Sequence, residues 1–230
     1  MFRTISLSAL LCLFIVQANA QKLYMPRDIQ KAFSKGTRDM SGKPGKNYWQ
    51  NTSNYNIAIT VAPPNRAVKG TEQITYYNNS PDTLKRLNMK LILNVHRPGV
   101  ARFSGVSDDY LTQGIQIDKF EVGGAKAKWN SAAATGTNQM VGLPKPLMPH
   151  DSVKLTIDWH FDLSKESGRE GVIDSTTFYL AYFYPRVSVY DDYNGWDTLA
   201  FLDAQEFYND FNNYTLNVTV PKNYIVWSTG

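Results

Sequence analysis

The sequence predicts an all-β fold, an antiparallel β-sandwich or saddle with long loops, and three observations support that prediction. The 230 residues include fourteen Tyr, five Trp and seventeen Thr but only five Glu. β-branched and aromatic side chains fit a pleated surface, whereas helical proteins draw heavily on Glu, Ala, Leu and Lys. Several short runs alternate apolar and polar residues with period two, and clusters of turn formers end them. With 43% apolar residues and a net charge of only +4, the chain can bury a core, which argues against disorder. At this length a domain buries roughly 70% of its unfolded surface, so neither metal nor disulfide is needed to hold it. The charges form no basic run, so no nucleic-acid partner is indicated.

Residues 1–20 read as an export signal. Arg3 supplies the short positive region, Ile5 to Val16 the apolar stretch, and Ala18 and Ala20 the small residues before a cut preceding Gln21. The apolar core is nearer a dozen residues than the ~20 a membrane span needs, so the mature chain is expected to be exported, periplasmic or extracellular, with no membrane span. Cys12 is the only cysteine, and cleavage leaves no disulfide, thiolate nucleophile or cysteine-ligated metal. Disulfide-free export suits a bacterial periplasm, and the sequons at Asn51, Asn78, Asn213 and Asn217 read as chance in an Asn-rich chain. Residues 21–54 are expected to form an N-terminal arm, polar and without a sustained apolar period over Ser34 to Lys46.

From Tyr55 the period becomes two. Tyr55, Ile57, Ile59 and Val61 alternate with Asn56, Ala58 and Thr60 up to Pro63-Pro64-Asn65. A second strand is expected from about Val68 to Tyr77, broken at Asn78-Asn79-Ser80-Pro81-Asp82. Leu87, Met89, Leu91 and Leu93 present one apolar face. Ile115, Ile117, Phe120 and Val122 form a further run closed by Gly123-Gly124. Val153, Leu155, Ile157, Trp159, Phe161 and Leu163 make the longest. Three long irregular segments intervene, His96 to Gln113, Asn130 to Gln139 and Ser164 to Thr176, and loops longer than about 12 residues are usually functional or disordered. The second is bland enough to be mere connection.

Metal and hydrolase motifs are missing. None of His96, His150 and His160 sits in a His-Glu-x-x-His pattern. The last two are ten residues apart, roughly 33 Å along a strand, too far to share an ion without a fold-back. No Gly-x-Ser-x-Gly elbow occurs.

The most distinctive stretch is Phe178 to Gly230. It holds Tyr182-Phe183-Tyr184-Pro185-Arg186, then Tyr190-Asp191-Asp192-Tyr193-Asn194-Gly195-Trp196-Asp197, then Glu206-Phe207-Tyr208-Asn209-Asp210-Phe211, and a closing alternation from Tyr214 to Val220. So many aromatics among acids suggest an ordered surface. The structural reading makes Asp191 and Asp192 turn residues and Asn194-Gly195 a tight turn.

The runs Tyr-Pro-Arg-x-x-x-Tyr-Asp-Asp-x-x-Gly-Trp and Glu-Phe-Tyr-x-x-Phe, together with the closing alternation and the earlier Gly70-Thr71-Glu72-Gln73-Ile74-Thr75-Tyr76-Tyr77, resemble the N-terminal β domain of zinc metallopeptidases of the aminopeptidase N (gluzincin) family, in particular a Bacteroidetes-like branch. The resemblance covers most of Tyr55 to Gly230 in order. It implies that 55–230 is the N-terminal β-saddle domain and that zinc belongs to a catalytic domain in cis, carrying Gly-x-Met-Glu-Asn and His-Glu-x-x-His. Neither motif occurs here, so this chain is expected to hold no cofactor and to be a non-catalytic fragment. Its expected partners are that catalytic domain and a peptide substrate. The family domain lends the cleft a Gln shortly before Pro-Arg; Tyr182 stands in that place. Tyr182, Arg186, Asp191, Asp192 and Glu206 are therefore the candidate substrate-binding residues, with Arg186 able to pair with any of the three acids or to act structurally. Two other readings stay open. One is a standalone binding module for carbohydrate or protein using Trp129, Trp196 or Trp227. The other is a glycosidase-like enzyme with two carboxylates drawn from Asp191, Asp192 and Glu206 at separations of about 5 or 6.5–9.5 Å.

Overall fold

The computed structural model describes residues 24–130 and 136–229; the expected export signal, residues 1–20, lies outside them. The all-β expectation holds. A six-stranded sheet carries β1 (Thr52–Val61), β2 (Ala67–Tyr77), β4 (Gln116–Val122), β5 (Ala125–Lys126), β7 (Ser152–Asp162) and β13 (Asn213–Thr219) in the order β13-β1-β2-β7-β4-β5. Every pairing in it is antiparallel except β1 with β13, so the sheet is mixed at that edge. A three-stranded sheet orders β10 (Arg186–Val187), β3 (Leu84–Lys90) and β6 (Asn138–Leu147) as β10-β3-β6. Two ribbons complete the set: β8 (Gly171–Val172) with β9 (Phe178–Tyr179), and β11 (Tyr190–Asp191) with β12 (Gly195–Trp196).

Period two explains the central strands. In β1, Tyr55, Ile57, Ile59 and Val61 are buried while Asn54, Asn56, Ala58 and Thr60 are exposed. Leu155, Ile157, Trp159 and Phe161 do the same in β7. These residues join Leu87 and Met89 of β3 in one core cluster, so the two sheets share a core. Burial of such side chains contributes about 1.5–3 kcal/mol each. Trp159 is seated by Gly70, its partner across the β2–β7 ladder; a Cβ at Gly70 would fall on the Trp159 ring.

The structure departs from or adds to the sequence reading at four places. The apolar run Leu87 to Leu93 does not continue as a strand: β3 ends at Lys90 and a buried 3-10 helix, Ile92–His96, follows. Asn94 drives the change, because its side chain donates to the Gly136 carbonyl at 3.2 Å and accepts the Ile115 amide at 3.0 Å. β6 lacked a strand signature because it contains Gly142, Pro144 and Pro146; it is the edge of its sheet, where missing donors are tolerated. The arm is not merely irregular. Arg27–Lys35 forms helix α1, stopped by Gly36 in the left-handed region (φ 72°), whose amide and that of Thr37 close on Phe33 and Ala32. Finally, no strand runs through Ile225–Trp227; a turn from Pro221 to Tyr224 ends regular structure after β13.

The segment after β10 is sewn to β3 by buried polar contacts. Lys90 Nζ meets Asp197 Oδ2 at 2.6 Å, with both side chains almost wholly buried. The Asp197 carbonyl accepts from Asn88 Nδ2 at 2.7 Å and from Ser188 Oγ at 2.6 Å, and its Oδ1 accepts the Leu199 amide at 3.0 Å. The Asn51 and Asn78 side chains are likewise buried and bonded internally, to Tyr76 and Asn79 and to Asp82 and Met148 respectively, which leaves neither free to carry a glycan.

Two stability outcomes are expected in denaturant melts. Asp197→Asn leaves Lys90 charged and unpaired in the core and should cost about 3–5 kcal/mol. Gly70→Ala overpacks Trp159 and should cost about 1–3 kcal/mol, whereas Gly142→Ala, with open space around its Cα, should be nearly neutral.

Candidate functional site

Three of the five sequence candidates, Asp191, Asp192 and Arg186, are engaged by neighbours within the domain. Asp191 is the acceptor of the β11–β12 turn: its Oδ1 takes the amides of Tyr193 (3.2 Å) and Asn194 (2.7 Å), and its Oδ2 the Tyr208 hydroxyl (3.0 Å). Gly195 closes that turn with φ 74°. Asp192 faces the N-terminal arm, accepting from the Thr37 hydroxyl and from Arg38 Nη2 at 2.9 Å. Burial would raise its pKa, but these donors outweigh that and hold it below the usual carboxylate value. The two adjacent acids thus engage different elements.

Arg186 is buried, its guanidinium stacked over Tyr184 at 4.9 Å and Phe207 at 4.7 Å. Among the described residues it forms no ion pair with Asp191, Asp192 or Glu206. A buried acid within its electrostatic reach was not singled out by the sequence. Glu72, 1% exposed, points inward from the middle of β2, and neither of its carboxyl oxygens has a hydrogen-bond partner. Burial drives the Glu72 pKa well up, and Arg186 only partly opposes it. Asp210 was also overlooked; burial raises its pKa to about 6 despite a 3.4 Å bond from Gln50.

Tyr182 and Glu206 do come together. Tyr182 has φ 56°, which a bulky side chain adopts only under surrounding constraint. Its ring lies 5.8 Å from Phe201 and 5.4 Å from Phe207. Its hydroxyl accepts from Arg169 Nη1 at 2.7 Å and lies 3.4 Å from Glu206 Oε2, while Arg169 also pairs with Glu206. Both members of that ion pair are more than half exposed, so it contributes little stability.

Behind Tyr182 opens a cavity of about 270 Å³. Its floor is Ile92, Val95 and Phe201, and its polar wall includes His96, Glu170 and Asp203. His96 Nε2 meets the Glu170 carboxylate, and His96 Nδ1 meets the Tyr110 carbonyl at 2.8 Å. Burial alone would lower the His96 pKa, but the hydrogen bond and charge of Glu170 raise it above 6.5. Asp203, the other wall residue with positive φ (66°), accepts from Tyr110 Oη at 2.6 Å. No local pattern could have revealed this cluster, because His96 and Glu170 are 74 residues apart.

A zinc ligand set is not formed. His96 is engaged at both ring nitrogens, the exposed His160 is bonded to Asp118, and no group of three or more His, Cys, Asp or Glu among the described residues is placed to hold a metal ion. The tryptophans occupy separate settings: Trp129 packs edge-on to Phe120, Trp196 lies against Tyr76 and Tyr190, and Trp227 is 96% exposed.

No family model and no curated protein matches the chain. Solved structures do match. The chain is similar to M1 zinc metallopeptidases. The Deinococcus radiodurans enzyme shares 17% identity over 77% of this chain, with a TM-score of 0.41. Its Glu-to-Ala variant shares 19% identity over 78%, and the same variant with a Tyr-Ser-Ala substrate 18% over 78%, each with a TM-score of 0.42. The chain spans about a third, 34%, of the length of those structures.

The Glu72 carboxyl sets an expected pH dependence. A carboxyl whose folded pKa is raised favours folding most below its unfolded value, near 4.5, and that contribution is lost as pH rises toward the folded value. Thermal melts of Glu72→Gln should therefore gain on wild type between pH 4 and pH 8, and parallel pH profiles would count against a buried neutral Glu72.

Proposed function

We propose that this chain is the non-catalytic N-terminal domain of an exported zinc-dependent metallopeptidase of the aminopeptidase N type. In this reading it packs on a catalytic domain in cis that holds the zinc, and it shapes one wall of a peptide-binding cleft. The observation that carries the reading is Tyr182: the residue standing where the resembling family places its cleft-lining Gln is held in a strained backbone conformation and lines a cavity. Strain of this kind concentrates at functional sites. A phenol there can donate to a peptide carbonyl or stack on a substrate side chain. Glu206 lies beside the Tyr182 hydroxyl, Arg186 packs on the Phe207 ring that Tyr182 also meets, and Asp191 and Asp192 hold the neighbouring hairpin to the rest of the domain.

A second feature supports the reading. Beside β13, Tyr214, Leu216, Ile225, Val226 and Trp227 expose apolar surface, with Ile225 90% and Trp227 96% exposed. Contiguous apolar exposure marks an interaction surface, and a following domain is the partner that the resemblance implies. Export rests on residues 1–20, and the Bacteroidetes-like branch on the motif spacing alone. Among the described residues no helix is long and apolar enough to cross a membrane.

Purified chain mixed with fluorogenic aminoacyl substrates and added zinc should show no turnover above buffer. The reading frame beyond codon 230 should encode His-Glu-x-x-His. Zinc-dependent hydrolysis by the 230-residue chain, or a stop codon directly after Gly230, would overturn the proposal.

A further inference from the structure

We infer that the segment Ser167–Glu170 is a proton-controlled strap, latched over the Tyr182 cavity by His96 and released when the His96–Glu170 pair loses its shared proton. The inference rests on the geometry of one imidazole. His96 ends the 3-10 helix Ile92–His96 and is buried. Its Nδ1 faces the Tyr110 carbonyl at 2.8 Å. A carbonyl can only accept, so Nδ1 carries the hydrogen whatever the pH. The tautomer is thereby fixed, and the contact between Nε2 and the Glu170 carboxylate depends on a second proton. With that proton the two groups share a charge-assisted hydrogen bond. Without it the Nε2 lone pair faces an ionised carboxylate in a largely desolvated place, and the contact becomes repulsive.

Inside the strap the Gly168 amide donates to the Glu170 carbonyl at 3.0 Å, and few contacts tie the strap to the rest of the domain. On its N-terminal side the chain is anchored, with the Lys165 and Glu166 amides both donating to the Asp109 carbonyl, at 3.0 and 3.3 Å. On its C-terminal side the Val172 amide returns to the Ser164 carbonyl at 3.0 Å, and Gly171 takes φ 114°. Between these anchors, Ser167 to Arg169 line the cavity, and the ties outward are Glu170 to His96 and the exposed Arg169 to Glu206 and the Tyr182 hydroxyl. Glu170 and Arg169 are adjacent, so freeing the first loosens the second, and with it the hydrogen bond on the Tyr182 phenol.

The groups facing His96 favour a proton on the pair. Glu170 approaches from the strap, and the Tyr110 carbonyl and ring, 4.1 Å away, from the 3-10 helix Asp108–Tyr110. Asp203 adds negative charge from the segment before Glu206. Glu166, Arg169 and Tyr182 share the cavity wall, and Arg97 adjoins His96 in sequence. Arg102 lies near Tyr110, with its guanidinium donating to the Val95 and Arg97 carbonyls at 2.6 and 3.0 Å. The latch is therefore closed below the raised His96 value and opens as pH rises through it. A group of this sign contributes its full stabilisation below its unfolded pKa, and loses it through the folded one.

Hydrogen exchange of the full chain tests the device independently of any peptidase activity. Between pH 6 and pH 9, and after correction for intrinsic rates, exchange across residues 167–170 should accelerate by about ten-fold or more, the equivalent of one unit of differential protonation. Exchange in β7 should not change. The acceleration should follow the His96 imidazole titration read by NMR. In His96→Gln and Glu170→Gln an amide replaces one partner and hydrogen-bonds the other without a shared proton, so the pH response of 167–170 should vanish in both. If the buried His96→Gln does not fold, Glu170→Gln in the loop decides alone. A wild-type strap with no pH response, or a response that persists in Glu170→Gln, overturns the inference.

Discussion

Everything after β10 depends on one buried ion pair. Lys90, at the end of β3, and Asp197, just after the β11–β12 hairpin, meet at 2.6 Å with almost no solvent contact. Such a pair carries a large desolvation cost, offset only when the remaining donors and acceptors are satisfied. Here Asn88, Ser188 and the Leu199 amide complete the satisfaction of Asp197, while Lys90 also reaches the Leu199 carbonyl at 3.4 Å and lies 5.7 Å from the centre of the Phe207 ring. The contact fixes where a long segment of poor secondary structure lies on the sheet. Phe201, Phe207 and Tyr182 can then pack against one another. The strained backbone of Tyr182 is held by this packing, so the site inherits its geometry from a core contact made elsewhere.

A second constraint is aromatic. Arg186 emerges from β10 between the rings of Tyr184 and Phe207 and faces the buried Glu72 across the shared core. The Arg186 Nε atom, like both Glu72 oxygens, lacks a hydrogen-bond partner among the described residues. Stacking on rings, together with the Asn209 side-chain oxygen that accepts from Nη1 at 2.8 Å, holds this guanidinium without a carboxylate partner. Asp191 and Asp192 are free for structural duties as a result, one making the hairpin turn and the other fastening the N-terminal arm, where Trp49 also stacks on Tyr190.

The strands that could be read in the sequence are those with one wet face. β1 and β7 alternate because they lie inside the large sheet with one surface on the core and the other in solvent, and that environment is written into every second residue. β6 could not be read because its prolines are acceptable only on a sheet edge, and being an edge is a property of the assembled sheet. Leu87 to Leu93 read as one strand because burial continues past Lys90, although the backbone turns there. α1 is short and mostly exposed, and its apolar period is confined to Ile29, Ala32 and Phe33 within a polar stretch. At the site, Tyr182 and Glu206 stood out through the motif they belong to, whereas Glu72 sat in an ordinary strand and Glu170 in an ordinary loop.

By itself, then, the sequence determined the fold class, the central strands and the segment in which to look for function, because period, turn chemistry and residue type are local quantities. The tertiary structure decided which charges are buried, which acids are structural and which loop touches His96. Those outcomes depend on desolvation and on neighbours brought from as far as 160 residues away, as when Gln50 meets the Asp210 carboxylate. No local pattern records them.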